Sequence, residues 1–410
     1  MTFDSAALRA HLATTVRAWL GSSATEDVPE LPDALARRLL RVEEYERSHR
    51  DRWGNWEFAY CDSLREGRLW EADVDRWVAD RRRELGLRSG DLWPEARPFA
   101  VCLTHDVDLV SEAVTPQQAL RSMRTSLNGG GASRHETLVR LARPGVRAAR
   151  ALYHGIRRAP AADMLELCVE LEHGWGVTAS YFFTVNRGAS GHRYDCVYDF
   201  ADACTFRGRR MTVGDVARAL DTEGFDIGLH GSYASAVEPG VLLFEKKALE
   251  RELGSRVTTT RQHFVHWNVR STPNLQESAG FAADSTLGFN RNLGARAGTS
   301  LPFRWFDVEA DRPLDLTQVP FLVQDGALFR EDALELDDEL AEAVIGDAIV
   351  RTAATGGLLN LVLHPNNLAD PRYLKLFRYT VERALAEGAW FGSIADVNEL
   401  WRRREAAAGG

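Results

Sequence analysis

No stretch of the chain approaches a membrane span; its apolar runs are short and broken by charge. The opening MTFDSAALRAHLATTVRAWLG has no early basic cluster and no continuous apolar core, so it does not read as a signal peptide. Cysteine is scarce. Cys61, Cys102, Cys168, Cys196 and Cys204 are scattered, odd in number and without a CxxC pair, so they suggest neither a thiolate zinc site nor a disulfide framework. Positive charge is not in excess either. A net charge of -9 favours solubility and argues against a general nucleic-acid binder. There is no internal repeat and no low-complexity tract. These absences point to an ordinary globular protein, expected in a reducing cytoplasm.

What is present is enough chain, 410 residues, for a barrel of roughly 250–300 residues plus an extra piece. Hydrophobic content of 45% and charged content of 27% are typical of such proteins. Residues 1–95 predict a helical accessory subdomain. LPDALARRLLRVEEYERSHRDRWGNWEFAY and LWEADVDRWVADRRRELGL place apolar residues at helical spacing among many charges. Trp53, Trp56, Trp70 and Trp77 read as its packing side, with sugar stacking as the alternative.

From Pro98 the rhythm changes to short apolar strands alternating with helices. The candidate strands are FAVCLTHD, VTASYFFTV, FDIGLHG, VTTTRQHF, LTQVPFLV, LLNLVLH and AWFGS. In MTVGDVARALDTEG, Thr212 is placed as an N-cap and Gly224 as a stop. Such alternation implies a parallel sheet, open or closed into a barrel. Residues 111–162 interrupt it with NGGGAS, which reads as flexible, and a basic helical stretch whose only acid is Glu136. That stretch reads as the solvated face of an insertion, or as a patch for an anionic substrate or partner.

Alternate residues of a strand share a face. Thr104, Asp106 and Asp108 therefore lie together, opposite His105. Asp226, Gly228 and His230 share a face, as do Asn360 and His364, and Thr259, Arg261 and His263. Active sites of α/β folds sit at the C-terminal strand ends, which is where Asp106, Asp108, His230, His263 and His364 fall. Each would be costly to bury unpaired, so their convergence points to a catalytic cluster. His105 faces the helix layer and reads as a hydrogen-bonded structural histidine. His192, in the loop GASGHRYDCVYDF, is a candidate substrate contact.

These residues resemble the motifs of the polysaccharide deacetylases, carbohydrate esterase family four, also called the NodB-homology domain. The resemblance covers about residues 96–403. LTHDVD resembles the first motif, LHGSYAS the second, TRQHF the third, FAADSTLGF the fourth around Asp284, and LVLHP the fifth. WFGSIADVNELWRRR fits the end of that domain, leaving 404–410 as a flexible tail.

The resemblance implies a distorted (β/α)7-type barrel and one divalent metal, most often Zn2+, serving a metal-dependent hydrolase that removes acetyl groups from sugars. It implies Asp106 as general base, His364 as general acid, and Arg261 as the group that orients Asp106. Asp108 and His230 become metal ligands; Asp284, His192 and Tyr233 are the candidate substrate contacts. One family ligand is missing, because the second histidine of the H-x-x-x-H pair falls at Ala234. We expect His263 to supply that imidazole; Ser232, Ser235, His266 or a water are the alternatives. The expected substrate is a small-molecule or glycan conjugate, with no nucleic-acid partner and no membrane span; oligomeric state is open. Two competing readings are an amidase acting on a non-sugar amide and a non-catalytic glycan-binding barrel.

Overall fold

The computed structural model describes residues 5–21, 28–87, 89–110, 164–186, 191–192 and 194–409. The basic insertion at 111–162 lies outside the described residues. The described residues form twelve strands: β1 (Ala100–Val107), β2 (Ala179–Thr184), β3 (Ala203–Phe206), β4 (Arg209–Thr212), β5 (Asp226–Gly231), β6 (Thr259–Gln262), β7 (Ala283–Asp284), β8 (Phe303–Asp307), β9 (Arg312–Gln318), β10 (Val323–Gln324), β11 (Leu358–Leu363) and β12 (Trp390–Phe391). The main sheet runs β10-β11-β1-β2-β5-β6-β7-β9-β8, with β12 added beside β1. Every pairing in it is parallel except β8 with β9. No ladder among the described residues joins its two ends, so the described sheet is open. The separate β3–β4 hairpin is antiparallel.

Central strands are covered on both faces, which is why β1 and β2 are buried along their whole length. Helices such as Val213–Thr222 link them. That helix starts on Thr212, whose hydroxyl accepts from the Asp215 N–H while Asp215 reaches back, and Gly224 beyond its end has φ +92°. His105 does face the helix layer. Its Nε2 pairs with Glu172 Oε1 at 2.5 Å, and its ring stacks on Tyr181.

The N-terminal segment shares the main apolar core: Trp19, Leu39 and Val74 belong to one cluster with Phe99, Phe182 and Leu358. Polar links reinforce it. Trp19 Nε1 donates to Pro302 O at 2.9 Å, and buried Asp75 accepts the Ser300 N–H at 2.9 Å. Glu44 sits buried between Arg41 (2.7 Å) and Arg296 (2.7 Å). Trp53 and Trp56 are buried as expected, whereas Trp70 is 38% exposed.

The chain end corrects one expectation. Helix Ile394–Ala407 runs through the supposed flexible tail; Glu405 and Ala408 are buried, and Arg17 Nη1 donates to Ala408 O at 2.8 Å. No helix of the described residues is long and apolar enough to cross a membrane.

Candidate metal and catalytic centre

Parallel pairing brings the ends of β1, β2, β5 and β6 together, with Thr184 beside His230 and His230 beside Arg261. Asp106, the penultimate residue of β1, is buried against Arg261, whose Nη1 donates to Oδ1 at 3.3 Å. Arg261 is itself fixed by Ser285, through the carbonyl at 2.9 Å and the hydroxyl at 2.6 Å. Its guanidinium lies over the Phe182 ring, 4.9 Å from the centroid. Gly228 makes room for that ring, since a Cβ there would meet Phe182 Cδ1 at 2.4 Å.

Asp108 lies one step further out, with its side chain 27% exposed. Its Oδ1 is 3.4 Å from His230 Nε2 and 3.4 Å from His263 Nε2. Burial alone would raise this carboxyl. The imidazoles of His263, His230 and His364 hold it well below the usual carboxylate range.

His230 Nδ1 lies 3.1 Å from the Arg261 carbonyl, which can only accept, so Nδ1 carries the proton. Nε2 then offers a lone pair. It is buried without a hydrogen-bond partner and faces Asp108 Oδ1 at 3.4 Å and Asp106 Oδ2 at 3.9 Å. Facing two carboxylate oxygens, Nε2 needs a cation between, either a proton on the ring or a metal ion. The donor set is also that of a divalent ion of the zinc class, with imidazole nitrogen and carboxylate oxygen. The residues present therefore fit a metal.

His263 does not lie within the strand, as its parity suggested. β6 ends at Gln262, and His263 opens a 3-10 turn, His263–Val265. Its Nε2 nevertheless reaches Asp108. The turn holds Phe264 and Val265 at φ 58° and 55°, a strained region for non-glycine residues. Asn55 Nδ2 pins it from the N-terminal segment, donating to Phe264 O at 2.8 Å.

Two of the alternative donors are engaged elsewhere, while the Ser232 hydroxyl is buried without a hydrogen-bond partner. Ser235 Oγ donates to Ser232 O at 2.7 Å, and His266 Nδ1 to Tyr233 O at 2.7 Å. Ala234 opens a short 3-10 turn, Ala234–Ala236.

His364 follows β11. Its Nδ1 is 2.6 Å from Asp325 Oδ1, and its backbone N–H donates to Asp325 Oδ2 at 2.8 Å. Nε2 is thereby aimed at the centre, 3.8 Å from Asp108 Oδ2. Burial opposes charging of this ring, yet the nearby carboxylates, Asp325 first, lift it to about 9.

Asp325 and Cys196 were not singled out from the sequence. Asp325 sits at the end of β10, a two-residue strand merged with β9 in the run LTQVPFLV; a carboxylate two residues past that run was the available signal. Cys196 Sγ lies 3.5 Å from Asp108 Oδ1 and 4.0 Å from His263 Nε2. Asp108, Cys196 and His263 form a trio whose ligand atoms lie within 4.8 Å of one another, and His230 stands outside that trio.

A cleft of about 210 Å³ opens over the centre, lined by Asp106, Asp108, His263, Phe264, Arg330 and His364 among others. Of the expected substrate contacts, His192 and Tyr233 stack at 4.3 Å, and Tyr233 stacks in turn on His266 at 4.1 Å. The Tyr233 hydroxyl donates to Trp53 O. These stacked rings pack against the N-terminal segment and do not line the cleft. Asp284 is placed differently. It is fully buried, its Oδ1 accepts the Thr286 N–H at 3.0 Å, and burial raises its carboxyl to about 6. It does not line the cleft, because β7 carries it into the interior.

No protein-family model matches the chain, and no curated protein matches it. Among solved structures, a Mycobacterium smegmatis protein assigned as a polysaccharide deacetylase is similar, with a TM-score of 0.50 and 17% identity. The match covers 76% of this chain and 93% of that one. At that identity the likeness is one of fold: a mixed α/β architecture built on a mostly parallel sheet.

Proposed function

We propose that the chain is a metal-dependent hydrolase that removes an N-acetyl group from an amino sugar or a sugar-containing small molecule. One observation carries the reading. Two carboxylates two residues apart have different partners, Asp106 a buried arginine and Asp108 the imidazoles of His230 and His263. That division suits one carboxylate to accept a proton and the other to hold an ion. The similar fold of a protein assigned as a polysaccharide deacetylase supports the reaction class. On this reading the described sheet is the wall of a distorted (β/α)7-type barrel, and the enzyme is cytoplasmic.

Asp108, His230 and His263 would hold the divalent ion, with zinc favoured by the nitrogen and oxygen donors. Bound there, it would supply Lewis acidity, which lowers the pKa of water and polarises an acyl carbonyl. Asp106 accepts the proton from the attacking water; Arg261 holds its carboxylate in line. His364, protonated and aimed by Asp325, gives its Nε2 proton to the departing amine. The cleft, about 210 Å³, is small for a ligand site and favours one acylated sugar unit at the centre.

The test separates ligand from base. Asp108→Ala should lose most of the bound metal. Asp106→Asn should keep it and lose turnover on an N-acetyl sugar by roughly 10²–10⁴-fold. Full metal occupancy in Asp108→Ala, or a metal-free Asp106→Asn protein, would contradict the assignment.

A further inference from the structure

Cys196 is the buried nucleophilic group that the proposed chemistry leaves unused. It lies in the loop after β2, and three observations fix its thiol at the centre. Sγ is 3.5 Å from Asp108 Oδ1 and 4.0 Å from His263 Nε2. The Thr184 hydroxyl, at the end of β2, donates to Sγ at 3.4 Å. The preceding residue anchors the loop to the second motif: Asp195 Oδ1 accepts the Tyr233 N–H at 2.8 Å, beside Ala234. The loop that carries Cys196 is thus docked on the segment that lacks the family's second histidine.

Two of the three spacings in the trio are those of neighbouring metal ligands. With zinc bonds of about 2.0–2.3 Å and tetrahedral angles, neighbouring donor atoms stand roughly 3.3–3.6 Å apart. The separations from Asp108 Oδ1 to His263 Nε2 and to Cys196 Sγ are 3.4 and 3.5 Å, and the third edge of the triangle is 4.0 Å. An independent sign of a cation is the buried, unpartnered Nε2 of His230, 3.4 Å from the same carboxylate oxygen.

We propose that Cys196 is a further metal ligand, so that the ion is held by a thiolate beside Asp108, His230 and His263, and a water at the ion takes a fifth position. This rests on the metal reading above. On binding, the Sγ–H bond breaks, its proton goes to solvent, and a sulfur–metal bond forms with no change in the oxidation state of the ion. Thiolate ligation shifts preference toward zinc, cobalt and iron(II), and away from manganese and magnesium. The other cysteines, Cys61, Cys102, Cys168 and Cys204, are buried outside this cluster and would contribute no sulfur signal.

Cobalt(II) added to the metal-free protein tests this directly. One cobalt per chain should bind, with a near-ultraviolet sulfur-to-metal charge-transfer band. Cys196→Ser should lose that band and bind cobalt more weakly by at least about tenfold, the lower end of the cost of disturbing even an outer-shell partner. X-ray absorption on the zinc-loaded wild type needs no variant and should show a sulfur neighbour at about 2.3 Å. Bound metal with no sulfur signal in either measurement overturns the proposal and leaves the metal reading standing. Failure of the wild type to bind cobalt or zinc overturns both.

Discussion

At the scale of single residues, the centre works through paired partners. Asp106 has Arg261, Asp108 has its imidazoles, and His364 has Asp325. The last pair carries an expected outcome of its own. Asp325 Oδ1 fixes the Nδ1–H tautomer of His364, and Oδ2 ties the backbone N–H of the same residue. Asp325→Asn should leave metal content unchanged and lower kcat by about 100-fold or more, the scale of losing an acid catalyst. The loss should shrink on an acetyl ester whose leaving group needs no proton. An equal loss on both substrates would make Asp325 structural only. The convergence of Asp106, His230 and Arg261 was legible because each lies inside a strand, and Asp108 and His364 each follow a strand end by one residue. Asp325 was hidden by the irregular residues 319–322 that break one apparent strand into β9 and β10. Cys196 was hidden because its partners are remote in sequence, Asp108 being 88 residues away. Asp284 shows the opposite failure, since a short motif says nothing about which way a two-residue strand turns its carboxylate.

At the scale of elements, the long apolar strands β1, β2, β5 and β11 matched their sequence pattern because both faces are buried, which leaves little freedom of register. β7 and β8 and the hairpin β3–β4 were not legible. β7 is two residues long, and β3 and β4 carry exposed polar residues without an apolar run. The turn after β6 is the element on which the ligand set depends. His263 precedes two residues in the left-handed region, each costing of order 1–3 kcal/mol, so something outside the turn must hold it. Asn55 does so through the Phe264 carbonyl. His263→Ala should therefore remove most of the metal, while Asn55→Ala should weaken binding by roughly tenfold without removing a ligand. Equilibrium dialysis with zinc would measure both. An Asn55→Ala protein with wild-type affinity would show that the turn holds itself.

At the scale of the whole molecule, the N-terminal segment is joined to the sheet by buried polar contacts, and one of these makes stability depend on pH. His11 Nε2 donates to the carbonyl of Arg304, in β8, at 3.0 Å, and its ring lies 5.2 Å from that of Phe306. Burial pulls its pKa down from 6.5 to about 4; the Arg304 carbonyl opposes that shift and the Arg304 charge adds to it. The unfolded chain therefore takes up a proton on His11 below about pH 6.5, whereas the folded chain does so only near pH 4. Stability from this contact is complete above pH 6.5, falls as the pH drops, and is lower by about 3 kcal/mol once pH is below 4. The buried carboxyls of Asp75, Asp226 and Asp284, each raised to about 6, act in the opposite sense, because the folded state binds their protons first. The raw pH profile mixes the two. The difference between wild type and His11→Gln, which keeps a donor but cannot titrate, isolates the histidine. Urea unfolding at pH 7 and pH 4.5 should show the wild type losing about 2–3 kcal/mol more than the variant. Parallel losses in the two proteins would mean that His11 is protonated in the fold, and that the N-terminal helix is held to β8 by other contacts.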